Sequence, residues 1–331
     1  MLHPQTQALL DLFEKKQLPP LYTLTPSEAR LSYRERVAST QPELCRVAQV
    51  QELSVPGAAG PISLRLYRPL LRRTQTDLGL LPALVYFHGG GWTVGDLDTH
   101  DSVCRQLADG AACAVASVNY RLAPEHRFPA AVDDCIAATR WVRSHAHSLL
   151  LDAERIAVGG DSAGGNLAAV VAITLREAKE LYLAFQLLIY PATDMRCGAP
   201  SHVSNGSGYL LTRESIAYYH DHYIQNAADD LDWRASPLLH PNLAGLPPAL
   251  VLTAGFDPLR DEGQQYAQRL SEAGTTATSV CFERQIHGFI TMGRLLDEAG
   301  AAVSLCAAEL HRAFTRIGSN LHGRSVLPAF V

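Results

Sequence analysis

Between residues 160 and 164 the chain reads Gly-Asp-Ser-Ala-Gly, a serine framed by two glycines. The apolar run IAVGG leads into it, and NLAAVVAITLREAKE, a helix by its pattern, follows. A serine on a sharp turn from strand to helix is lifted clear of the sheet. The helix N-terminus beneath it stabilises developing negative charge. The chemistry this serves is nucleophilic attack on a carbonyl by Ser162. G-x-S-x-G arises often by chance, and a tightly packed glycine turn would read the same way; the strand-turn-helix context favours the nucleophile. A dinucleotide fingerprint is excluded because the G-x-G-x-x-G spacing is absent, and no Walker lysine is present.

Such a serine needs donors for the oxyanion of the tetrahedral intermediate. His88-Gly89-Gly90-Gly91-Trp92 follows the strand-like ALVYF. Successive glycines let backbone N–H groups turn into a pocket without steric conflict. The expected donors are the N–H groups of Gly89, Gly90 and Ala163. A plain flexible turn is the alternative, but three glycines followed at once by tryptophan make a poor linker. His88, ahead of the glycines, reads as a structural hydrogen-bonding residue.

The serine also needs a base and an acid to orient it. When the nucleophile lies on a strand-to-helix turn, the chain order is nucleophile, acid, histidine. PALVLTAG ends at Gly255, which puts Asp257 at the carboxyl tip of a strand. Asp261 and Glu262 are nearby but open the next helix, where acids favour the macrodipole. Asp257 is therefore the expected acid. His287, in the loop after TSVCF with Gly288 behind it, is the expected base. His220 and His222 diverge around a helix and His145 and His147 sit near a helix end in solvent, so no metal pair is read. H-E-x-x-H is absent, and the reading requires neither cofactor nor metal.

These residues must be positioned by a scaffold. Short apolar runs at Ala83 to Phe87, Ala114 to Val118, Ile156 to Gly159, Ala184 to Tyr190, Ala249 to Ala254 and Thr278 to Phe282 mostly alternate with helical stretches. That predicts a mostly parallel sheet with helices on both faces. Val47 to Val55 and the alternating Ile62, Leu64 and Leu66 predict an antiparallel pair turning at Pro56 to Gly60. Leu71 to Leu81 reads as a polar connector. Pro191 to Pro248 is too long for an ordinary connection and holds a helix from Thr212, a plausible N-cap, to Tyr223. An insertion after a parallel strand sits where ligands bind. With the helical first 40 residues it is expected to cap the site. The predicted organisation is an N-terminal cap segment 1–40, core 41–190, inserted cap segment 191–235, core 236–317 and a tail 318–331. On the inner face of the cap, Leu9, Leu10, Leu12, Phe13, Tyr209, Leu210, Leu211, Tyr218, Tyr219 and Tyr223 would favour apolar acyl groups.

Composition agrees. The chain of 331 residues is 47% hydrophobic and 18% charged, a balance that excludes wholesale disorder. A net charge of −5 leaves no basic footprint for nucleic acid and no polybasic membrane patch. Seven scattered cysteines without a C-x-x-C pair point to a reducing compartment and small apolar packers. With no leader pattern and no apolar run long enough for a membrane span, the expectation is a cytoplasmic protein.

HGGGW (88–92), VGDLDTHD (94–101), NYRLAPEHRFPAAVDD (119–134), GDSAGGNLAA (160–169), SPLL (236–239), DPLRDEG (257–263) and HGF (287–289) together resemble the hormone-sensitive-lipase-like carboxylesterases of the α/β-hydrolase superfamily. The resemblance covers about residues 40 to 315. It implies the α/β-hydrolase fold, a mostly parallel eight-stranded sheet under a helical cap. It also implies Ser162 as nucleophile, Asp257 as acid, His287 as base, and Gly89, Gly90 and Ala163 as oxyanion donors. Gln285-Ile286 departs from the family pattern and is expected to tune the pocket wall. The reading is a serine carboxylesterase for short- to medium-chain esters of small molecules. An amidase or deacetylase using the same triad, and a non-catalytic small-molecule receptor on the same fold, are the alternatives. Because plant-receptor-like members lack the histidine, His287 speaks against the receptor. The last strand, at a sheet edge, suggests a homodimer.

Overall fold

The computed structural model describes residues 1–70, 79–180 and 183–323, with side chains up to 317. Most of the predicted connector after Leu70, and residues 324–331 of the predicted tail, lie outside the described residues. Eight strands form one sheet: β1 (Gln49–Gly57), β2 (Gly60–Arg68), β3 (Leu81–Phe87), β4 (Ala114–Asn119), β5 (Leu151–Asp161), β6 (Gln186–Ile189), β7 (Ala249–Phe256) and β8 (Ala277–Ile286). Their order is β1-β2-β4-β3-β5-β6-β7-β8. β2 is antiparallel to β1 and to β4, and the remaining pairs are parallel. The first two strands form the predicted hairpin, with Val55 opposite Ile62 and Gly57 opposite Gly60.

The helices are α1 (Pro4–Lys16), α2 (Pro26–Thr40), α3 (Asp101–Ala111), α4 (Ala130–Ser144), α5 (Ala163–Glu177), α6 (Ser201–Ser204), α7 (Arg213–Tyr223), α8 (Arg260–Glu272) and α9 (Asp297–Gly323). Period-two alternation in β3 shows how the sheet feeds two cores. Ala83, Val85 and Phe87 join one cluster, in which Leu167, Val170 and Val171 of α5 pack. Leu84 and Tyr86 join the other, with Leu107 of α3 and Val303, Cys306 and Leu310 of α9. Each fully buried large apolar side chain contributes roughly 1.5–3 kcal/mol, so both faces must be covered for the sheet to hold.

From β3 the chain moves outward to β4 and then crosses back to β5, on the other side of β3. The carboxyl ends of β3 and β5 therefore meet where the strand order reverses, the crevice in which open α/β sheets bind ligands. The glycine loop follows β3 and Ser162 follows β5, so topology alone brings the two motifs together.

Three boundaries differ from expectation by four residues or more, the first being β5, which starts at Leu151 rather than Ile156. β8 continues to Ile286 rather than ending at Phe282, because Gly255 lets β7 approach it closely; a Cβ there would strike the Glu283 carbonyl. α9 runs through Gly323, past the predicted start of the tail at 318. One glycine in a helix disfavours it by only about 1 kcal/mol relative to alanine, too little to stop a long packed helix.

Candidate active site

Ser162 occupies the turn between β5 and α5 with φ 57° and ψ −118°, a conformation that side chains other than glycine rarely adopt. The turn is held at both ends. Ser162 N–H donates to the Ile189 carbonyl (2.8 Å) and its carbonyl accepts from Asn166 N–H (3.0 Å). The flanking glycines are required by close approach: a Cβ on Gly160 or Gly164 would run into the Phe87 carbonyl at the end of β3.

The Ser162 hydroxyl lies 2.8 Å from His287 Nε2, and His287 Nδ1 lies 2.7 Å from Asp257 Oδ2. Since the carboxylate accepts, Nδ1 carries the proton and Nε2 is left to accept from the serine. Asp257 is fully buried, and its other oxygen accepts from Leu259 N–H (2.8 Å). The structure thus brings together the three residues that the strand-tip reading singled out. The rival acids point elsewhere. Asp261 accepts from Ser201 N–H (2.9 Å) and pairs with Arg260. Glu262 is buried and accepts from Thr193 N–H (2.6 Å), Asp194 N–H (3.2 Å) and His202 Nε2 (2.6 Å). Burial raises its carboxyl above the ordinary range, against the pull of His202 and the two N–H groups. Its place is more than a helix-start acid: it pins the beginning of the 191–248 insertion to α8. Nothing in the sequence could pair it with a histidine so far upstream.

The glycine loop corrects one expectation. Gly89 N–H donates to Asp161 Oδ1 (3.0 Å), and Gly89 does not border the cavity above Ser162. Gly90 and Gly91 do border it, with Ala163. None of these three N–H groups has a protein acceptor among the described residues. Gly90 and Gly91 have φ +121° and +56°, so this stretch requires glycine. Asp161, the unassigned second residue of the serine motif, is the organiser. It also accepts from the Tyr86 hydroxyl (2.8 Å) and lies 3.2 Å from His100 Nε2. Burial alone would raise its carboxyl, but His100 and Tyr86 more than offset this and hold it below the ordinary value. His88 is structural as expected: it stacks on Tyr120 (centroids 4.3 Å apart), and burial, with His100 nearby, lowers it to about 4.

Above these groups lies a cavity of about 340 Å³. The first 40 residues contribute Phe13, Leu21, Tyr22, Tyr33 and Val37 to its wall, and the insertion contributes Leu210, Leu211, Ile216 and Tyr219. The α7 helix starts as expected, with Thr212 accepting from Ser215 N–H. Not every expected lining residue faces inward. Leu9 is in the core, Leu12 is 39% exposed, Tyr223 stacks on Trp92 (4.3 Å) and Tyr209 lies against Phe256. Gln285 and Ile286 do not form pocket wall either. The first binds Thr6 and Glu298, and the second is buried in the cluster that holds the α9 side chains; both belong to β8 rather than to the loop after it. Among the described residues, no cluster of three His, Cys, Asp or Glu side chains could hold a metal ion, and no helix is long and apolar enough to cross a membrane. His220 pairs with Asp230 (2.7 Å), whereas His222 binds the Tyr218 carbonyl.

A family model for the alpha/beta hydrolase fold matches residues 84–291, and the chain belongs to that family, in its hormone-sensitive-lipase-like branch. It is 44% identical over 275 residues to the carboxylic ester hydrolase LipN of Mycobacterium tuberculosis, covering 81% of this chain and 71% of the relative. It is 38% identical over 318 residues to an ethyl acetate hydrolase of Pseudomonas putida, covering 94% and 99%. Among solved structures it is similar to LAE6, an α/β hydrolase enzyme from the metagenome of Lake Arreo, Spain, crystallised as a serine-to-alanine mutant. That match has a TM-score of 0.91 and 45% identity and covers 95% of this chain and 99% of the other.

Proposed function

We propose that Ser162, His287 and Asp257 form the catalytic triad of this protein, which is a carboxylic ester hydrolase. The observation that carries the reading is the unbroken hydrogen-bond chain from Ser162 through His287 to Asp257, opening onto an apolar cavity beside unpaired backbone donors. Ser162 Oγ attacks the ester carbonyl while His287 Nε2 takes its proton. The oxyanion is held by the N–H groups of Gly90, Gly91 and Ala163, with Gly91 in the place first read for Gly89. Each such donor is worth roughly 10²–10³ in rate. The alcohol leaves with the proton from His287, and water releases the acid by the same route. Asp257 holds the imidazole in the tautomer that can accept.

Residues 1–40 and the 191–235 insertion act as the cap. A closed apolar pocket rewards each added methylene of the acyl chain by about 0.8 kcal/mol until its depth is used up. Beyond that depth, packed side chains must be displaced. Activity on p-nitrophenyl esters should therefore peak at short to medium chains, and Ser162→Ala should lower kcat by on the order of 10⁶ without unfolding the protein. An alanine variant with substantial activity would refute the nucleophile, and a continuous rise to palmitate would refute the closed cap. The seven unpaired thiols support a reducing, cytoplasmic setting. β8 is an edge strand, which supports a homodimer across it; light scattering that finds a monomer at micromolar concentration would dismiss this.

A further inference from the structure

Among the described residues, four charged side chains other than His220 and His287 border the cavity above Ser162: Asp161, Asp194, Glu262 and Arg36. The three carboxylates are matched, Asp161 by His100, Asp194 by Arg196 (2.8 Å) and Glu262 by His202 (2.6 Å). Arg36, on α2, is not. Its Nη2 donates to the Pro19 carbonyl (2.5 Å), its Nε is buried with no partner, and no carboxylate lies within ion-pair reach among the described residues. Burial lowers its guanidinium, as expected of a half-buried cation without a counter-charge. A cation in such a setting gains strongly when an anion arrives, because a charge-assisted hydrogen bond is then formed away from bulk water.

The cation also shares its cavity with the groups that would hold the reacting carbonyl. Tyr219 lies on the same wall. Its ring packs so closely on the glycine loop that a Cβ on Gly91 would overlap it. Arg36, Tyr219, Gly90, Gly91 and Ala163 thus border one cavity.

Resting on the esterase reading above, we propose that Arg36 is a specificity residue for esters that carry a second, anionic carboxylate: the half-esters of short dicarboxylic acids. The fork of the guanidinium takes the free carboxylate while the ester carbonyl sits at Gly90, Gly91 and Ala163. Neutral acyl chains of the same length fill the pocket but leave the cation unpaired.

The test compares monoethyl succinate, glutarate and adipate with ethyl alkanoates of matched acyl length, followed by pH-stat titration at neutral pH. The readout is the ratio of kcat/KM for the half-ester to that for its neutral match. This ratio should fall on the order of tenfold or more in Arg36→Gln for at least one of the three acids. It should fall less in Arg36→Lys, which keeps the charge but not the fork. A role limited to holding Pro19 would lower both substrates together and leave the ratio unmoved. A ratio unchanged within twofold in Arg36→Gln for all three acids would overturn the proposal. Failure of the wild-type protein to hydrolyse the neutral esters at all would instead sink the esterase reading.

Discussion

Replacing Gly91 with alanine tests whether that glycine, rather than Gly89, supplies an oxyanion donor. Two effects separate in the structure. The first is backbone strain: an L-residue at φ +56° costs about 1–2 kcal/mol. The second is a collision, because the new Cβ would overlap the root of the Tyr219 ring rather than its mobile tip. If the ring holds its place, the loop must move and the Gly91 N–H leaves the oxyanion position. The expected loss is then roughly 10²–10³ in kcat with little change in KM, since the bond is made in the transition state alone. Tyr219→Ala removes the obstacle. In that background Gly91→Ala should retain only the strain, a factor of roughly 5–30 if all of it falls on the transition state. The four proteins form a double-mutant cycle, read with p-nitrophenyl butyrate, and the coupling should be about 10- to 100-fold. A Gly91→Ala variant within fivefold of wild type would refute the assignment of Gly91. Equal losses in both backgrounds would refute the collision.

Further expectations follow from the same geometry. Asp257→Asn should lower kcat by roughly 10⁴, because asparagine cannot hold the Nδ1–H tautomer in place. Asp261→Asn should leave kcat within about twofold, since that carboxylate faces Ser201 and Arg260; the reverse order would move the acid to Asp261. His88, fully buried and lowered from 6.5 to about 4, makes stability depend on pH. Its folded value is depressed, so between those values the unfolded chain binds the extra proton and stability falls as pH falls from about 6.5 toward 4. The full effect is about 3 kcal/mol. His88→Gln should flatten the decline in urea-unfolding stability across that window, and an undiminished slope in the variant would assign it to other groups.

The sequence marked the three residues proposed as the triad because each sits at the tip of a strand, and strand tips leave a local signature. Ser162 has glycines on both sides, Asp257 follows PALVLTAG directly and His287 precedes a turning glycine. What it hid are pairings between side chains far apart in the chain. Asp161 lies inside the recognised motif, yet its ties to Gly89, Tyr86 and His100 exist only once β3 and β5 lie side by side. That tie decides which glycines remain free, so a reading that counts glycines along the chain lands one residue early. Glu262 fails for the same reason. Its helix-start position gave a sufficient local explanation, while its true partners, Thr193, Asp194 and His202, come from the insertion that it anchors. In the sequence Arg36 is one more charge in a helical stretch, and only the shared cavity reveals that it lacks the counter-ion its neighbours have. The residues proposed to react are marked by the backbone geometry they need, whereas those proposed to select and align substrate are marked by neighbours, and neighbours are a property of the fold.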